Sequence, residues 1–331
     1  MTQHANNRGA LATEAVRGRR ILITGAGGSL GSALTRALVH APHAGLTLLD
    51  HSESAVYELE REWGGANIVL GDVGDRALLR HIFATARPDL ILHAAAYKHV
   101  PLLEHHPFAA VRNNVLATAT LLEAVAGAGA PLVLVSTDKA ADPASVMGAT
   151  KRIAELLTLA AGHTAVRLGN VLGSQGSVVP LLRKQLEAGG PLTLTSAEAT
   201  RYWMTAEQAV QALLEAIRIG RGGLFIPKLA PPRTVLDLAR SLEREAGVND
   251  TPIRYTGLRA GEKLTEVLLG AGESWAPQRA GEQLREVLTP LPRELALEPL
   301  RRAVEQGSRE QLLAAVAGLC PSYVAATVAN S

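Results

Sequence analysis

Arg20 to Gly31 reads RILITGAGGSLG, a short apolar run that breaks into a glycine-rich turn and continues as the amphipathic SALTRALVHA. A buried strand, a turn and a helix in that order open a β-α-β unit. Gly25, Gly28 and Gly31 fall at G-x-x-G-x-x-G spacing. Glycine there lets the backbone bend tightly and approach a pyrophosphate, which then sits on the free amides at the helix N-terminus. By itself a glycine triplet is only a tight turn. Its place between a strand and a helix is what points to a dinucleotide.

The alternation continues on both sides of the next turns. LTLLD (Leu46 to Asp50), NIVLGD (ending at Asp72), DLILHAAA and PLVLVSTD read as buried strands. They are separated by SAVYELEREW, ALLRHIFATA and the long helix PFAAVRNNVLATATLLEAVAGAG. The fold class is therefore α/β, a doubly wound parallel sheet of Rossmann type. After TAVRLGNVLGS the rhythm loosens into a helix around VVPLLRKQLEAG, a short LTLTS, the helix AEQAVQALLEAIRIG and the strand GLFIP. TVLDLARSLEREAG and SREQLLAAVAGL follow as helices. The expected division is a flexible tail at 1–18, a dinucleotide-binding domain from 19–168 plus 205–226, and a smaller mixed α/β domain from 169–204 plus 227–331.

Composition limits the remaining choices. The 331 residues are 47% apolar and 19% charged, which is globular, and 33 basic against 31 acidic residues leave a net charge of +2. No basic patch for nucleic acid stands out. The single cysteine, Cys320, allows no internal disulfide and fits a reducing compartment, so the expected location is cytoplasmic. The N-terminal stretch lacks a signal-peptide core, and nowhere do ~20 uninterrupted apolar residues suggest a membrane span. His93, His99, His105 and His106 lack the carboxylate or cysteine partners of a zinc site, so no metal is expected.

Asp50 closes the second strand, 19 residues beyond Gly31, where a carboxylate accepts hydrogen bonds from the adenosine ribose hydroxyls. Its charge repels a 2′-phosphate and no arginine lies within DHSES, which favours NAD, with NADP the alternative. Asp72 is placed either to meet the adenine edge or to form a strand-end turn. Asn114, inside a long apolar helix, needs a partner for its amide, as a relay or backbone-ordering group or as a helix–helix hydrogen bond.

STDKAADPASVMGATK, Ser136 to Lys151, leaves the fifth strand and enters the next helix. Ligands of a doubly wound sheet bind beyond the carboxyl ends of its strands, so Ser136, Thr137, Asp138 and Lys139 are expected to face the crevice. Periodicity alone makes Lys139 and Lys151 two solvated surface lysines.

With these segments assembled, the chain resembles the extended short-chain dehydrogenase/reductases, and within them the UDP-N-acetylglucosamine 4,6-dehydratases of the polysaccharide-biosynthesis type. The matching segments are TGAGGSLG, HAAAYKHVPLLEHHPFAAVRNNV, STDKAADPASVMGATK, VRLGNVLGSQGSVVPLL, TRYWMT and GLRAGEKLTE, in that order from about Arg20 to about Leu269. The resemblance implies a cycle in which bound NAD(P) takes a hydride from carbon 4 of the sugar, water leaves across carbons 5 and 6, and the hydride returns to carbon 6. It implies a UDP-sugar substrate held by the smaller domain, and a homo-oligomer.

The resemblance also distributes roles. Lys151 positions the nicotinamide ribose. A desolvated Lys139 titrates low enough to take the carbon 5 proton, while Asp138 protonates the departing hydroxyl. Ser29, Leu30, Val73, Ala94, Ala95, Lys98 and Asn114 join the cofactor cradle. Lys98, Asn170, Val179, Arg201, Arg259 and Glu262 lie toward the nucleotide sugar, the arginines suited to its pyrophosphate and Glu262 holding one of them. Met147 departs from the usual pattern, in which a tyrosine four residues before the lysine acts as base. Methionine has no proton to exchange. A branch of the dehydratases looks similar, with methionine here, and Asp138 or Thr137 then becomes the candidate proton acceptor. The other readings are a 5,6-dehydratase or epimerase on the same fold, and a non-catalytic NAD(P)-binding sensor. The TDK stretch and the missing tyrosine argue against the epimerase.

Overall fold

The computed structural model describes residues 14–323. Its centre is a nine-stranded sheet, with strands β1 (Arg20–Thr24), β2 (Gly45–Asp50), β3 (Asn67–Leu70), β4 (Leu90–His93), β5 (Leu132–Thr137), β6 (Thr164–Leu168), β7 (Gly223–Pro227), β8 (Ser274–Arg279) and β9 (Leu284–Leu288). The order across the sheet is β8-β9-β7-β6-β5-β4-β1-β2-β3. Strands β1 to β7 pair in parallel, while β9 pairs antiparallel with both β7 and β8. The order turns back between β1 and β4, the switch point where such sheets open a crevice at their carboxyl ends.

Helices cover both faces: α1 (Ser29–Leu38), α2 (Glu53–Trp63), α3 (Arg76–Thr85), α4 (Val100–His105), α5 (Pro107–Ala110), α6 (Ala117–Ala128), α7 (Val146–Ala160), α8 (Val178–Glu187), α9 (Ala206–Ile219), α10 (Val235–Glu245), α11 (Glu298–Gln306) and α12 (Arg309–Leu319). Strand alternation decides which side chain meets which layer. Ile21 and Ile23 pack with Leu34 and Leu38 of α1 and Leu213 and Ile217 of α9. Leu22, between them, joins Leu79 and Ile82 of α3 and Leu121 and Val125 of α6 on the opposite face. Each fully buried side chain of this kind contributes about 1.5–3 kcal/mol.

Residues 1–13 of the expected tail lie outside the described residues. Residues 14–16 are helical, and Val16 is completely buried against the first of these cores. Residues 274–288, assigned by sequence to the smaller domain, instead supply β8 and β9 of the main sheet. Helices α11 and α12 likewise pack beside α7, where Leu300, Leu312 and Val316 meet Met147 and Ile153. The smaller lobe is left with α8, α10 and paired short strands such as Leu192–Leu194 with Ile253–Tyr255, around Val179, Leu182, Leu194, Ala239 and Leu242.

Two local departures from regularity interrupt these elements. The long helix read from sequence is broken by a π-helical turn, Val111–Leu116, between α5 and α6. Strand β8 carries Pro277 and an irregular register between Trp275 and Arg279.

Candidate active site

A cleft of about 1080 Å³ runs along the carboxyl ends of β1, β2, β4, β5 and β6 and reaches the segment before α8. Its floor at β1 is the glycine turn. Gly25 has φ +67°, and a Cβ there would lie 2.6 Å from the Ala95 backbone. A Cβ on Gly31 would lie 2.0 Å from the Gly25 carbonyl oxygen. Helix α1 starts after Gly28 with no side-chain cap and no acidic residue in its first turn, so its amide groups face the cleft with their partial positive charge. Asp50 accepts from the Gly27 amide through Oδ2 (2.9 Å) and from the Ser52 amide through Oδ1 (3.0 Å). A carboxylate has further lone pairs for ribose hydroxyls. These residues fit a dinucleotide: an anion cradle at one turn and a carboxylate at the next strand end.

Ser29, Leu30, Val73, Ala94, Ala95 and Lys98 also line this cleft. Asp72 does not; its Oδ1 accepts from the Gly74 amide at 2.6 Å, which is the strand-end turn. Asn114 stands behind the wall in the π-helical turn. Its Oδ1 accepts from the Tyr97 amide (2.8 Å), and its Nδ2 donates to the Tyr97 carbonyl (3.0 Å) and to Thr150 Oγ1 (3.1 Å). It clasps the backbone leading to Lys98 and ties that backbone to α7. The extra residue of a π turn turns this amide inward, which an unbroken helical reading of the sequence does not anticipate.

The end of β5 carries a cluster of polar groups. Lys139 Nζ donates to Asp138 Oδ1 at 2.9 Å and to Asn170 Oδ1 at 3.2 Å, and lies 3.5 Å from Glu266 Oε1. Thr137 Oγ1 donates to Asp138 Oδ1 (3.0 Å), and Asn170 Nδ2 donates to Asp138 Oδ2 (3.0 Å). Thr137, Lys139, Met147, Lys151 and Asn170 line the cleft. Asp138, expected to face it, is completely buried and meets the cleft only through Thr137, Lys139 and Asn170. Lys139 also differs from expectation: burial pushes its pKa down, but the Asp138 and Glu266 carboxylates outweigh burial and hold it above its usual value. In this geometry it is an ammonium.

Lys151 is the amine that titrates low. Its Nζ donates to the Val135 carbonyl at 2.7 Å. Burial brings its pKa from 10.5 to about 8, with Glu155 pulling the other way. Below pH 8 the amine is charged in folded and unfolded chains alike; between about 8 and 10.5 only the unfolded chain keeps the proton. Stability contributed through this group therefore rises with pH across that window. In nucleotide-free protein, the urea midpoint of wild type should climb relative to Lys151→Met from pH 8 to 10.5. A constant difference between the two would contradict the assignment. His93, sandwiched between Thr24 Oγ1 (2.7 Å) and Thr118 Oγ1 (2.9 Å), is held neutral by burial and by Lys151, with its pKa lowered to about 3.

Of the residues expected to meet a nucleotide sugar, Lys98 and Asn170 line the cleft, whereas Val179, Arg201, Arg259 and Glu262 do not. Arg201 donates to the carbonyls of Thr200, Leu264 and Lys263 at 2.7, 3.1 and 2.9 Å, so it braces the segment around residues 263–264. Arg259 is 62% exposed and pairs with Glu262 at 2.6 Å. Val179 is buried in the core of the smaller lobe. The sequence reading passed over Ser174 to Ser177 and His99, which line the cleft, and Glu266, which stands behind Lys139. The first group lies inside the GSQGS run of a segment already singled out. Glu266 sits in GLRAGEKLTE with nothing local to separate it from Glu262.

A dinucleotide turn on a doubly wound sheet, a smaller lobe across the cleft and a lysine–aspartate cluster at the end of β5 define a short-chain dehydrogenase/reductase of the nucleotide-sugar dehydratase and epimerase class. The chain belongs to the polysaccharide biosynthesis protein family, whose family model matches residues 21–287. It is similar to the probable polysaccharide biosynthesis protein EpsC of Bacillus subtilis (strain 168), 40% identical over 280 residues that take in 80% of this chain and 47% of that protein. It thus spans about half the length of EpsC. A UDP-N-acetylglucosamine 4,6-dehydratase (inverting) of Campylobacter jejuni (strain NCTC 11168) is 32% identical over 272 residues, 77% of this chain and 79% of that one. Among solved structures, dTDP-glucose 4,6-dehydratase DesIV of Streptomyces venezuelae, with NAD bound, matches with a TM-score of 0.67 and 25% identity over 76% of this chain and 88% of that one. No helix among the described residues is long and apolar enough to cross a membrane, and no group of three or more metal-ligating side chains is assembled among them.

Proposed function

We propose that this chain removes water from UDP-N-acetylglucosamine to give a UDP-4-keto-6-deoxy-hexosamine, with or without inversion at carbon 5. The observation that carries this reading is the Thr137–Asp138–Lys139–Asn170 cluster set beside Lys151 at the carboxyl end of β5. The glycine turn and Asp50 would hold NAD, which when bound would accept a hydride from carbon 4 and return it to carbon 6. The Thr137 hydroxyl takes the carbon 4 hydroxyl proton while passing its own to Asp138, which replaces the base that Met147 is unable to be. Lys139, having released its own proton to solvent through the cleft it lines, accepts the carbon 5 proton as the free amine. Asp138 passes the proton it received to the departing carbon 6 hydroxyl, which leaves as water, and Lys139 returns its proton to carbon 5 as the hydride reaches carbon 6, so the sugar loses one water and both side chains end as they began. Met147 leaves an apolar wall beside these exchanges.

The test is incubation of purified protein with UDP-N-acetylglucosamine, followed by mass spectrometry and NMR of the sugar. Loss of one water with no net change in cofactor redox state is the expected result. An unaltered sugar sinks the reading and favours a nucleotide sensor, while a change of configuration at carbon 4 without water loss favours an epimerase. The same reading includes NAD retention by the glycine turn. Gly31→Ala forces a Cβ to within 2.0 Å of a carbonyl oxygen, an overpacking that costs about 1–3 kcal/mol. NAD affinity measured by calorimetry should fall about tenfold or more, and unchanged affinity would remove the turn from the cofactor site. The homo-oligomer that the family resemblance implies is tested by light scattering.

A further inference from the structure

Glu266 is only 3% exposed, yet it is not spent on a structural network. Its Oε1 lies 3.5 Å from Lys139 Nζ and 3.9 Å from Arg201 Nε, while its buried Oε2 has no hydrogen-bond partner among the described residues. Two other glutamates with buried side chains, Glu155 of α7 and Glu273 just before β8, differ. Both oxygens of Glu155 and of Glu273 are taken by arginines and hydroxyl or amide groups. A buried carboxylate with one unsatisfied oxygen is costly unless a nearby charge compensates it. The charges available are Lys139 and Arg201.

The backbone around Glu266 is pinned. The Thr200 amide donates to the Leu264 carbonyl (2.9 Å), Thr200 Oγ1 donates to Thr265 Oγ1 (3.2 Å), and Arg201 braces the carbonyls of residues 263 and 264. Lys263 Nζ reaches the carbonyls of Ala141 and Asp142, just beyond Lys139. Two loops distant in sequence are thus stitched together at the place where the carboxylate meets the amine.

We propose that Glu266 is a positioning residue for Lys139: from behind the cleft wall its carboxylate holds the ammonium in place and fixes the charge in which Lys139 meets the substrate. The inference rests on the dehydratase reading for its functional meaning, but the electrostatic link does not depend on it. The groups facing Lys139 are Asp138 from its own turn, Glu266 and Arg201 from the smaller lobe, and the neutral amide of Asn170. Asp138 and Glu266 favour the charged amine and Arg201 opposes it. Removing the Glu266 charge leaves burial and Arg201 against Asp138 alone, so the neutral amine becomes easier to reach.

Two readouts test this on the full chain with its cofactor. The first is competitive acylation of Lys139 by trace acetic anhydride as a function of pH, read by peptide mass spectrometry in wild type, Glu266→Gln and Glu266→Asp. An opposite charge within ~4–6 Å moves a titration by about 1–3 pH units. In Glu266→Gln, Lys139 should therefore acylate about tenfold faster at fixed pH, with the curve displaced to lower pH, and Glu266→Asp should restore most of the wild-type profile. Superimposable curves for wild type and the glutamine variant, in protein that retains NAD and its circular dichroism, would overturn the proposal. The second readout is the pH profile of water loss, whose limb due to Lys139 should move the same way. A displaced acylation curve in a protein that dehydrates no nucleotide sugar would uphold the link while sinking the dehydratase reading.

Discussion

Lys139→Met is expected to slow water loss from UDP-N-acetylglucosamine by at least about 10²–10⁴-fold, equivalent to about 3–5 kcal/mol of barrier. Methionine keeps much of the side-chain length and apolar stem but removes the cleft-facing nitrogen bonded to Asp138 Oδ1. Asp138 keeps the Thr137 hydroxyl and the Asn170 amide, and Glu266 keeps Arg201, so the cluster is not left without partners. The glycine turn, Asp50 and Lys151 are untouched, and NAD should still co-purify with the variant. The loss should fall on kcat, with KM altered only slightly, because the interaction removed is one made as the protons move. Single-turnover assays with nucleotide-loaded enzyme provide the measurement. Turnover within a few-fold of wild type would remove Lys139 from the mechanism.

Arg167→Met is expected to destabilise the fold by about 3–5 kcal/mol, the usual penalty for stripping one partner from a buried ionic network. Arg167 is fully buried on β6, with Nε and Nη2 on Glu155 at 3.0 and 2.7 Å and Nη1 and Nη2 on Glu273 at 2.7 and 3.1 Å. Arg152 bridges the same two carboxylates at 3.1 and 2.8 Å, and Ser136 donates to Glu155 at 2.6 Å. Without Arg167 two buried carboxylates share one guanidinium. Burial pushes the pKa of Glu273 up, but the bonds and charge of Arg167 and Arg152 prevail and bring it from 4.5 to about 2. Its stabilising contribution is therefore complete above pH 4.5 and disappears as pH falls through 2. Denaturation at pH 7 should show the full deficit, and the gap between wild type and variant should narrow on acidification. Adding Glu155→Gln to the variant should recover part of the loss, since the two sites share one network.

The sequence carried β1 to β5, β7 and the glycine turn because each is a local pattern: apolar runs of strand length, turn residues, then helical period. It carried the cleft-facing Thr137, Lys139, Met147 and Lys151 because they follow a strand end. It misplaced β8 and β9. SWAPQR contains a proline, and in LREVL two adjacent charged residues interrupt the apolar run that marks the other strands. The Arg152–Glu155–Arg167–Glu273 network left no trace, since Arg167 and Glu273 are separated by 106 positions and Arg152 lies farther still from Glu273, and charge pairing over such distance has no period. The burial of Asp138 and the bracing role of Arg201 escaped for the same reason. Arg201 meets carbonyls more than 60 positions away, and Asp138 meets Asn170 from the far side of β6.

The irregular β8 bounds the sheet on one side, and it does so with a proline that donates no backbone hydrogen bond and a register break that twists its outer face. At the opposite margin β3 is only four residues long. Neither border offers a long flat ladder on which a foreign strand could extend the pairing. The same blunted margins should keep crowded or partly opened molecules from polymerising strand against strand along this sheet.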